Sequence, residues 1–479
     1  MVFSSSLFLF QFLPIFLAIY YLCPNRYRNL IALGASVWFY SWGAPRFVFL
    51  LLASSLADFI IAPHLQPVKE VSPDQSRRRF LAAGLIINLG VLFYFKYANF
   101  FVGEITPLLE ALGMTGFHWT NIALPIGISF FTFQKISYLM DVYRGTNKPA
   151  KSFVNYFLYV SLFPQLIAGP IIRYHDVAKQ LTDRKHTSSR MFSGIWRFCL
   201  GLGKKVLIAN ALGEIADHAF ALDKGVPDTG FAWLGILCYT FQIYFDFSGY
   251  SDMAIGLGRM LGFEYLENFN APYIARNFTE FWKRWHISLS NWMREYLYFP
   301  LGGNRHGPVR TIFNLWLVFL LSGIWHGASW NFLVWGAFHG FFLSLDKIGE
   351  RLRFRPWPTF IAVPVTFVLI MLGWVFFRAE TLDQALSFIG ALAGCSGTAD
   401  LIQIPAFIDS YYLIILAIAV FFSFIPIVFS PDFCSRLERM ENKSWLKSGA
   451  QFSCSVFFLI LSACALASGG FNPFIYFRF

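Results

Sequence analysis

Apolar stretches broken by short polar clusters succeed one another along the chain, near 6–22, 30–43, 45–62, 80–101, 120–141, 153–172, 192–213, 231–249, 311–325, 331–346, 359–378, 410–430 and 449–470. Most are long enough as α-helices to cross, or nearly cross, a bilayer core of ~30 Å. The pattern therefore predicts an all-α polytopic membrane protein, with residues 1–479 forming one integral-membrane domain. The polar clusters give the orientation. Arg26/Arg28, Lys69 with Arg77–Arg79, Arg144/Lys148/Lys151, Lys347 with Arg351/Arg353/Arg355, and Arg436/Arg439/Lys443/Lys447 belong on the cytoplasmic side, whereas 102–119 and 379–408 hold no Lys or Arg and read as external. No basic residue precedes the first run and two follow it, which inverts a cleaved leader and predicts a retained span with its N-terminus outside. Cys23 follows Tyr21 and Leu22, not the small residues of a lipid-attachment site.

Three stretches depart from simple alternation. Residues 153–172 are flanked by basic residues on both sides and contain Pro164 and Gly169-Pro170, which predicts a re-entrant pass. The runs 311–325 and 331–346 have about 15 residues each, a helical rise of only ~22 Å, so their turn is expected at depth within the membrane. In 264–305 the basic residues Arg276, Lys283, Arg284 and Arg294 interleave with Phe278, Phe281, Trp282, Trp285, Trp292 and Tyr296. That mixture suits amphipathic helices at the cytoplasmic interface.

Composition agrees: 56% of the 479 residues are hydrophobic, 20% aromatic and only 14% charged, with a mean hydropathy of +0.53. The net charge of +11 sits in short clusters between apolar runs, as for loops facing anionic lipid, and no nucleic-acid-binding motif accompanies it. The seven cysteines form no CxxC and no His/Cys cluster, so neither a disulfide framework nor a metal site is expected. No Walker loop, dinucleotide fingerprint, HExxH or GxSxG elbow is present in a suitable context.

Ionisable groups within hydrocarbon are costly, which makes two histidines candidate working groups. His326 lies in Trp325-His326-Gly327-Ala328-Ser329-Trp330, where a glycine permits close approach and tryptophans exclude water. A neutral imidazole there suits a general base that takes a proton from an alcohol attacking a thioester; a histidine that hydrogen-bonds a kinked helix is the alternative. His286, 40 positions earlier, lies among Lys283, Arg284, Ser288, Ser290 and Arg294. These groups suit the phosphates of an anionic carrier such as coenzyme A, with His286 orienting the donor or stabilising an oxyanion, though a lipid-facing structural belt fits the same composition. His339 reads as a packing or hydrogen-bonding residue. Asp246 and Asp252 serve either a proton path or structural pairing with cations.

Long motifs then resemble a known family, the membrane-bound O-acyltransferases, and within it the bacterial alginate O-acetyltransferase AlgI group. They include Met1-Val-Phe-Ser-Ser5, Pro125-Ile-Gly-Ile-Ser-Phe130, Phe163-Pro-Gln-Leu-Ile-Ala-Gly-Pro170 and the stretch from Tyr244 to Gly258. Glu280-Phe-Trp-Lys-Arg-Trp-His-Ile-Ser-Leu-Ser290, Leu301-Gly-Gly-Asn-Arg305 and Gly323-Ile-Trp-His-Gly-Ala328 continue the match. The resemblance implies a ring of tilted transmembrane helices with re-entrant and interfacial helices around a central funnel, in a bacterial inner membrane. It places the catalytic positions on His326 and His286, with Arg284, Trp285, Ser290, Arg294 and Trp325 around the substrates. It further implies acetyl-CoA as donor with no bound cofactor, an exported polysaccharide as acceptor, and a periplasmic partner of the SGNH type. The short aromatic tail, Phe471 to Phe479, is more like that of relatives acting on other polymers such as cellulose. Other readings stand beside this one: O-acetylation of another polymer such as cellulose or peptidoglycan, a proton-coupled transporter or exporter using Asp246, Asp252 and the histidines as a relay, and a non-catalytic scaffold in polymer secretion.

Overall fold

The computed structural model describes residues 1–67, 75–114, 119–221, 227–395, 407–428, 445–469 and 472, and every regular element among them is helical. Lys69, His118, the basic residues of 436–443 and the tail 471–479 apart from Asn472 lie outside the described residues. The chain divides into two compact units, residues 1–191 with 257–266, and residues 192–256 with 267–479.

The first unit contains α1 (Leu13–Leu22), α2 (Arg28–Gly43), α3 (Phe47–Ile61), α4 (Gln75–Ala111), α5 (Ile128–Arg144), α6 (Phe153–Ser161), α7 (Phe163–Leu166) and α8 (Tyr174–Val177). At 37 residues α4 rises about 56 Å, well beyond its apolar middle, because helix-compatible polar turns extend it at both ends. The span expected over 120–141 is shorter in fact. Pro125 precedes and Gly127, at φ 75°, caps the start of α5, and Gly145, also at φ 75°, closes it by donating to the Asp141 and Val142 carbonyls.

The stretch expected to be re-entrant is a broken helix. α6 stops where Leu162 turns to ψ 117°, and the buried chain that follows is tied down by side chains. Tyr159 Oη donates to the Ile172 carbonyl at 2.9 Å, and Gln165 Nε2 donates to the Tyr159 carbonyl. Such partners are what allow non-helical backbone inside an apolar protein.

Between these helices, Lys135 and Asp58 form an ion pair of 3.3 Å with side chains 1% and 0% exposed. Asp58 also accepts from Asn88 at 2.7 Å and from the Tyr156 hydroxyl at 3.1 Å. A second pair lies at α8, where His175 Nδ1 is 2.8 Å from Asp141. The hydrogen bond to Asp141 raises the His175 pKa above its ordinary 6.5, against the opposing effect of burial and with help from Asp176. A raised imidazole pKa contributes stability that is complete below about pH 6.5 and is lost as pH climbs through the raised value. The melting temperature of the solubilised protein is therefore expected to fall above pH 6.5, and His175→Gln should flatten that part of the profile.

The second unit contains most of α9 (Ser188–Gly203), a π-turn (Lys204–Ala209), α10 (Asn210–Ala219), most of α11 (Thr229–Met260), α12 (Phe278–Arg284), α13 (Ile287–Met293), a π-turn (Arg294–Tyr298), α14 (Gly307–His326), α15 (Trp330–Arg351), α16 (Thr359–Arg378), α17 (Leu382–Leu392), α18 (Ser410–Val428) and α19 (Trp445–Ala467). Glycines bring α9 and α11 close together. A Cβ on Gly249 would stand 2.7 Å from the Gly201 carbonyl oxygen, and one on Gly256 would stand 2.6 Å from that of Gly194. The approach lets cations on α9 and the π-turn that follows it meet carboxylates on α11: Arg197 Nε of α9 reaches Asp252 at 2.8 Å, and from the π-turn Lys204 reaches Asp252 at 2.7 Å and Lys205 pairs with Asp246 at 2.9 Å. Both acids that an exporter would need for proton relay are thus held in ion pairs.

The hairpin of α14 and α15 corrects one expectation. Its arms have 20 and 22 residues, rising about 30 and 33 Å, not the ~22 Å of the apolar runs alone. Polar turns at the feet of both helices are helical too, so arm length gives no argument for a turn at depth. The arms pack backbone to backbone, since a Cβ on Gly323 would collide with the Phe332 carbonyl and one on Gly336 with the Phe319 carbonyl. Five described helical stretches are long and apolar enough to cross a membrane: Phe47–Leu65, Gln75–Ala111, Gly307–His326, Thr359–Arg378 and Ser448–Ala467.

Candidate active site

His326 is the last residue of α14. Gly327 leaves the helix in an extended conformation, and its N–H still reaches back to the Gly323 carbonyl at 3.3 Å. A side chain at 327 would strike the Phe332 ring, so glycine is required here by packing. The imidazole is 7% exposed and stands edge-on among three aromatic rings: Trp325 at 4.8 Å, Trp335 at 5.0 Å and Phe377 at 5.1 Å between centroids. These rings come from α14, α15 and the end of α16. Asn331 fixes the turn to α16 by donating to the Ala379 carbonyl at 2.8 Å. On the far side of Trp335, at 4.7 Å, stands His339, fully buried, whose Nδ1 accepts from Trp282 Nε1 at 3.3 Å. Its packed and hydrogen-bonded setting places it in the same aromatic cluster as His326.

His286 occupies the break between α12 and α13. Asn277 caps α12 by accepting from the Glu280 N–H, the helix ends at Trp285, and His286 then takes a left-handed conformation at φ 44°, one that costs a β-carbon-bearing residue energy. Its side chain is 1% exposed. Among the described residues its partners are Asn268, Ser288 and the edge-on ring of Phe247, so it makes no ring contact with His326. A chain of aromatic contacts runs between the two histidines through Phe247, Phe269, Trp285, Trp374 and Phe377, each step 4.9 to 5.4 Å once past Phe247.

The proton on His286 can be placed. Asn268 Oδ1 accepts from the backbone N–H of Ser288 at 3.2 Å and from its hydroxyl at 2.9 Å, which fixes that atom as the amide oxygen. His286 Nδ1, 3.1 Å from the same oxygen, must therefore donate. Nε2 keeps its lone pair, is buried, and has no hydrogen-bond partner among the described residues. Burial lowers the pKa of this imidazole to about 3, so the ring is neutral. In this tautomer Nε2 accepts and does not donate, which suits orienting a donor and does not suit holding an oxyanion.

The other residues expected around the substrates are dispersed. Trp285 is buried against Phe269 and Trp374. Arg284 directs its guanidinium at Glu280, at 2.9 and 3.1 Å, and at the Asn270 carbonyl. Ser290 is half-buried, and Arg294 is exposed with Nη2 donating to Asn291 Oδ1 at 2.9 Å. Asn268, Trp335 and Phe377 belong to these two clusters without any local motif that announces them. No group of three metal-ligating side chains is found among the described residues.

Comparison with known proteins gives the family. The profile of the membrane-bound O-acyltransferase family matches residues 147–379, a stretch containing His286 and His326. The chain is 49% identical over 396 residues, 82% of its own length and 78% of the relative's, to a probable alginate O-acetylase AlgI of Azotobacter vinelandii. The chain belongs to the membrane-bound O-acyltransferase family. It is thus an O-acyltransferase and a multi-pass membrane protein, and it falls with the AlgI-like group of that family. It is also 37% identical over 433 residues to a peptidoglycan O-acetyltransferase of Helicobacter pylori, covering 83% of this chain and 80% of the relative. A teichoic acid D-alanyltransferase of Bacillus subtilis is more distant, 27% identical over 281 residues, 54% of this chain and 70% of the relative.

Proposed function

We propose that this membrane-bound O-acyltransferase takes an acetyl group from acetyl-CoA on the cytoplasmic side of a bacterial inner membrane. The acetyl group passes at His326 to an acceptor hydroxyl arriving from the opposite compartment, for O-acetylation of an exported polysaccharide, directly or through a periplasmic SGNH-type partner. The observation that carries this reading is the His326 imidazole itself, nearly buried and walled by Trp325, Trp335 and Phe377 at the end of α14. The names of the relatives support an acceptor of the same class, since they denote transfer onto alginate, peptidoglycan and teichoic acid.

In the reaction, the acceptor O–H gives its proton to the imidazole as its oxygen attacks the thioester carbonyl. The tetrahedral intermediate then breaks its C–S bond, and the departing thiolate takes the proton from the ring, leaving an ester and free thiol. The positive charge carried briefly by the ring falls at the C-terminus of α14, the end of a helix that favours a cation. His286 contributes a buried acceptor at Nε2, suited to an N–H or O–H of the donor's arm.

Sidedness tests this reading. Labelled acetyl-CoA is expected to be consumed by inside-out membrane vesicles and untouched by right-side-out ones. Equal consumption from both faces would contradict a cytoplasmic donor.

A further inference from the structure

We propose that Asn268 is a positioning residue for the acyl transfer, selecting the His286 tautomer whose free lone pair faces the substrate; this rests on the reading that His286 belongs to the working site. Asn268 lies 18 residues before His286, and the structure joins them by several bonds. Its side-chain oxygen collects the His286 Nδ1–H, the Ser288 N–H and the Ser288 hydroxyl. Its backbone carbonyl accepts from Ile287 N–H at 2.9 Å. The loop and the break after α12 are thus stitched together on both sides of the strained His286 backbone.

Asn268 is in turn anchored to α11. Its Nδ2 donates to Ser251 Oγ at 3.1 Å. A parallel ionic clamp runs next to it: Arg197 pairs with both Asp252 and Glu267, the neighbours in sequence of Ser251 and Asn268. The clamp fixes where the amide points, and the amide fixes which ring nitrogen carries the proton.

The choice of asparagine has a chemical consequence. An amide oxygen accepts the Nδ1–H without adding charge, so the ring stays neutral and Nε2 stays unprotonated. A carboxylate in the same place would accept the same bond and favour the imidazolium. Among the described residues no charged side chain is a partner of His286. The ionic groups flanking those partners are already paired, Glu267 and Asp252 with Arg197, Asp252 also with Lys204, and Arg284 with Glu280. Asparagine at 268 therefore sets the protonation of this histidine without competition from them. Nε2, buried and without a hydrogen-bond partner among the described residues, is the second observation pointing to a ligand, because an unmet buried acceptor costs free energy unless something binds there.

Two measurements on the full-length protein test this. In wild-type protein carrying 15N-labelled histidine, the signal that disappears in His286→Gln is expected to show protonated Nδ1 and unprotonated Nε2 near pH 7. Protonation at Nε2 would overturn the proposal whatever the variants do. Acetyl transfer by Asn268→Asp, as a ratio to wild type, is expected to fall tenfold or more between about pH 8 and pH 5.5, since the raised imidazole takes up a proton at Nε2 as pH drops. A ratio independent of pH, with His286→Ala inactive, would remove the positioning role and leave His286 in the site. Full activity in His286→Ala would instead remove the reading of His286 on which this rests.

Discussion

Replacing His326 with Ala is expected to reduce O-acetylation of the polymer by roughly 10²–10⁴-fold, the usual contribution of a general base in the transition state. Amount and membrane insertion of the protein should be unchanged, because α14 and α15 are held by the Gly323 and Gly336 contacts and by Asn331, none of which involves the imidazole. Alanine leaves a hole among Trp325, Trp335 and Phe377, so His326→Gln provides the control that fills the space and keeps a polar group. Gln has no nitrogen basic enough to take the proton, and its activity should be as low. Acetylation retained by either variant would exclude His326 as the base, and loss of the protein itself would point to the helix-bonding role instead.

The largest expected effect on stability lies in the first unit. Lys135→Met leaves the Asp58 carboxylate buried without its cation, and breaking one side of such a pair costs about 3–5 kcal/mol. The variant should accumulate poorly and melt far below wild type in detergent. Asp58→Asn combined with Lys135→Met should recover much of that loss, because an amide still meets Asn88 and the Tyr156 hydroxyl and no charge is stranded. Wild-type melting in Lys135→Met alone would show that the pair is neutral in energy.

How much of this could be read from the sequence differs by feature. His326 with Trp325 is legible because an ionisable residue stands out in an apolar run and its wall begins at the next residue. Trp335 and Phe377 are not, since they reach the ring only when α15 and α16 fold back on α14, and aromatic residues are too common in this chain to mark them. The hairpin is legible as two apolar runs, yet its length is not. Hydropathy counts the apolar centre, while helix formation continues through Gly307 to Thr311 and through Ser344 to Arg351. The break at Leu162 follows from Pro164, whereas the partners that make it tolerable, Tyr159 and Gln165, carry no pattern. His286 is conspicuous among its tryptophans, but its tautomer depends on Asn268, an unremarkable asparagine in a loop. Arg284 is legible by its charge but not by its pairing. Charge near a candidate opening suggests a phosphate contact, and only the structure reveals that Glu280, four residues earlier on the same helix, already holds it.

The most direct measurement of the central claim is release of free thiol from acetyl-CoA by purified protein in liposomes, supplied with acceptor and saturating donor, for wild type and His326→Ala. The account predicts a kcat lower by at least about 10²-fold with KM for acetyl-CoA within about twofold, the signature of an interaction made in the transition state and not in donor binding. Thiol release by His326→Ala at the wild-type rate, coupled to the same ester product, would contradict it.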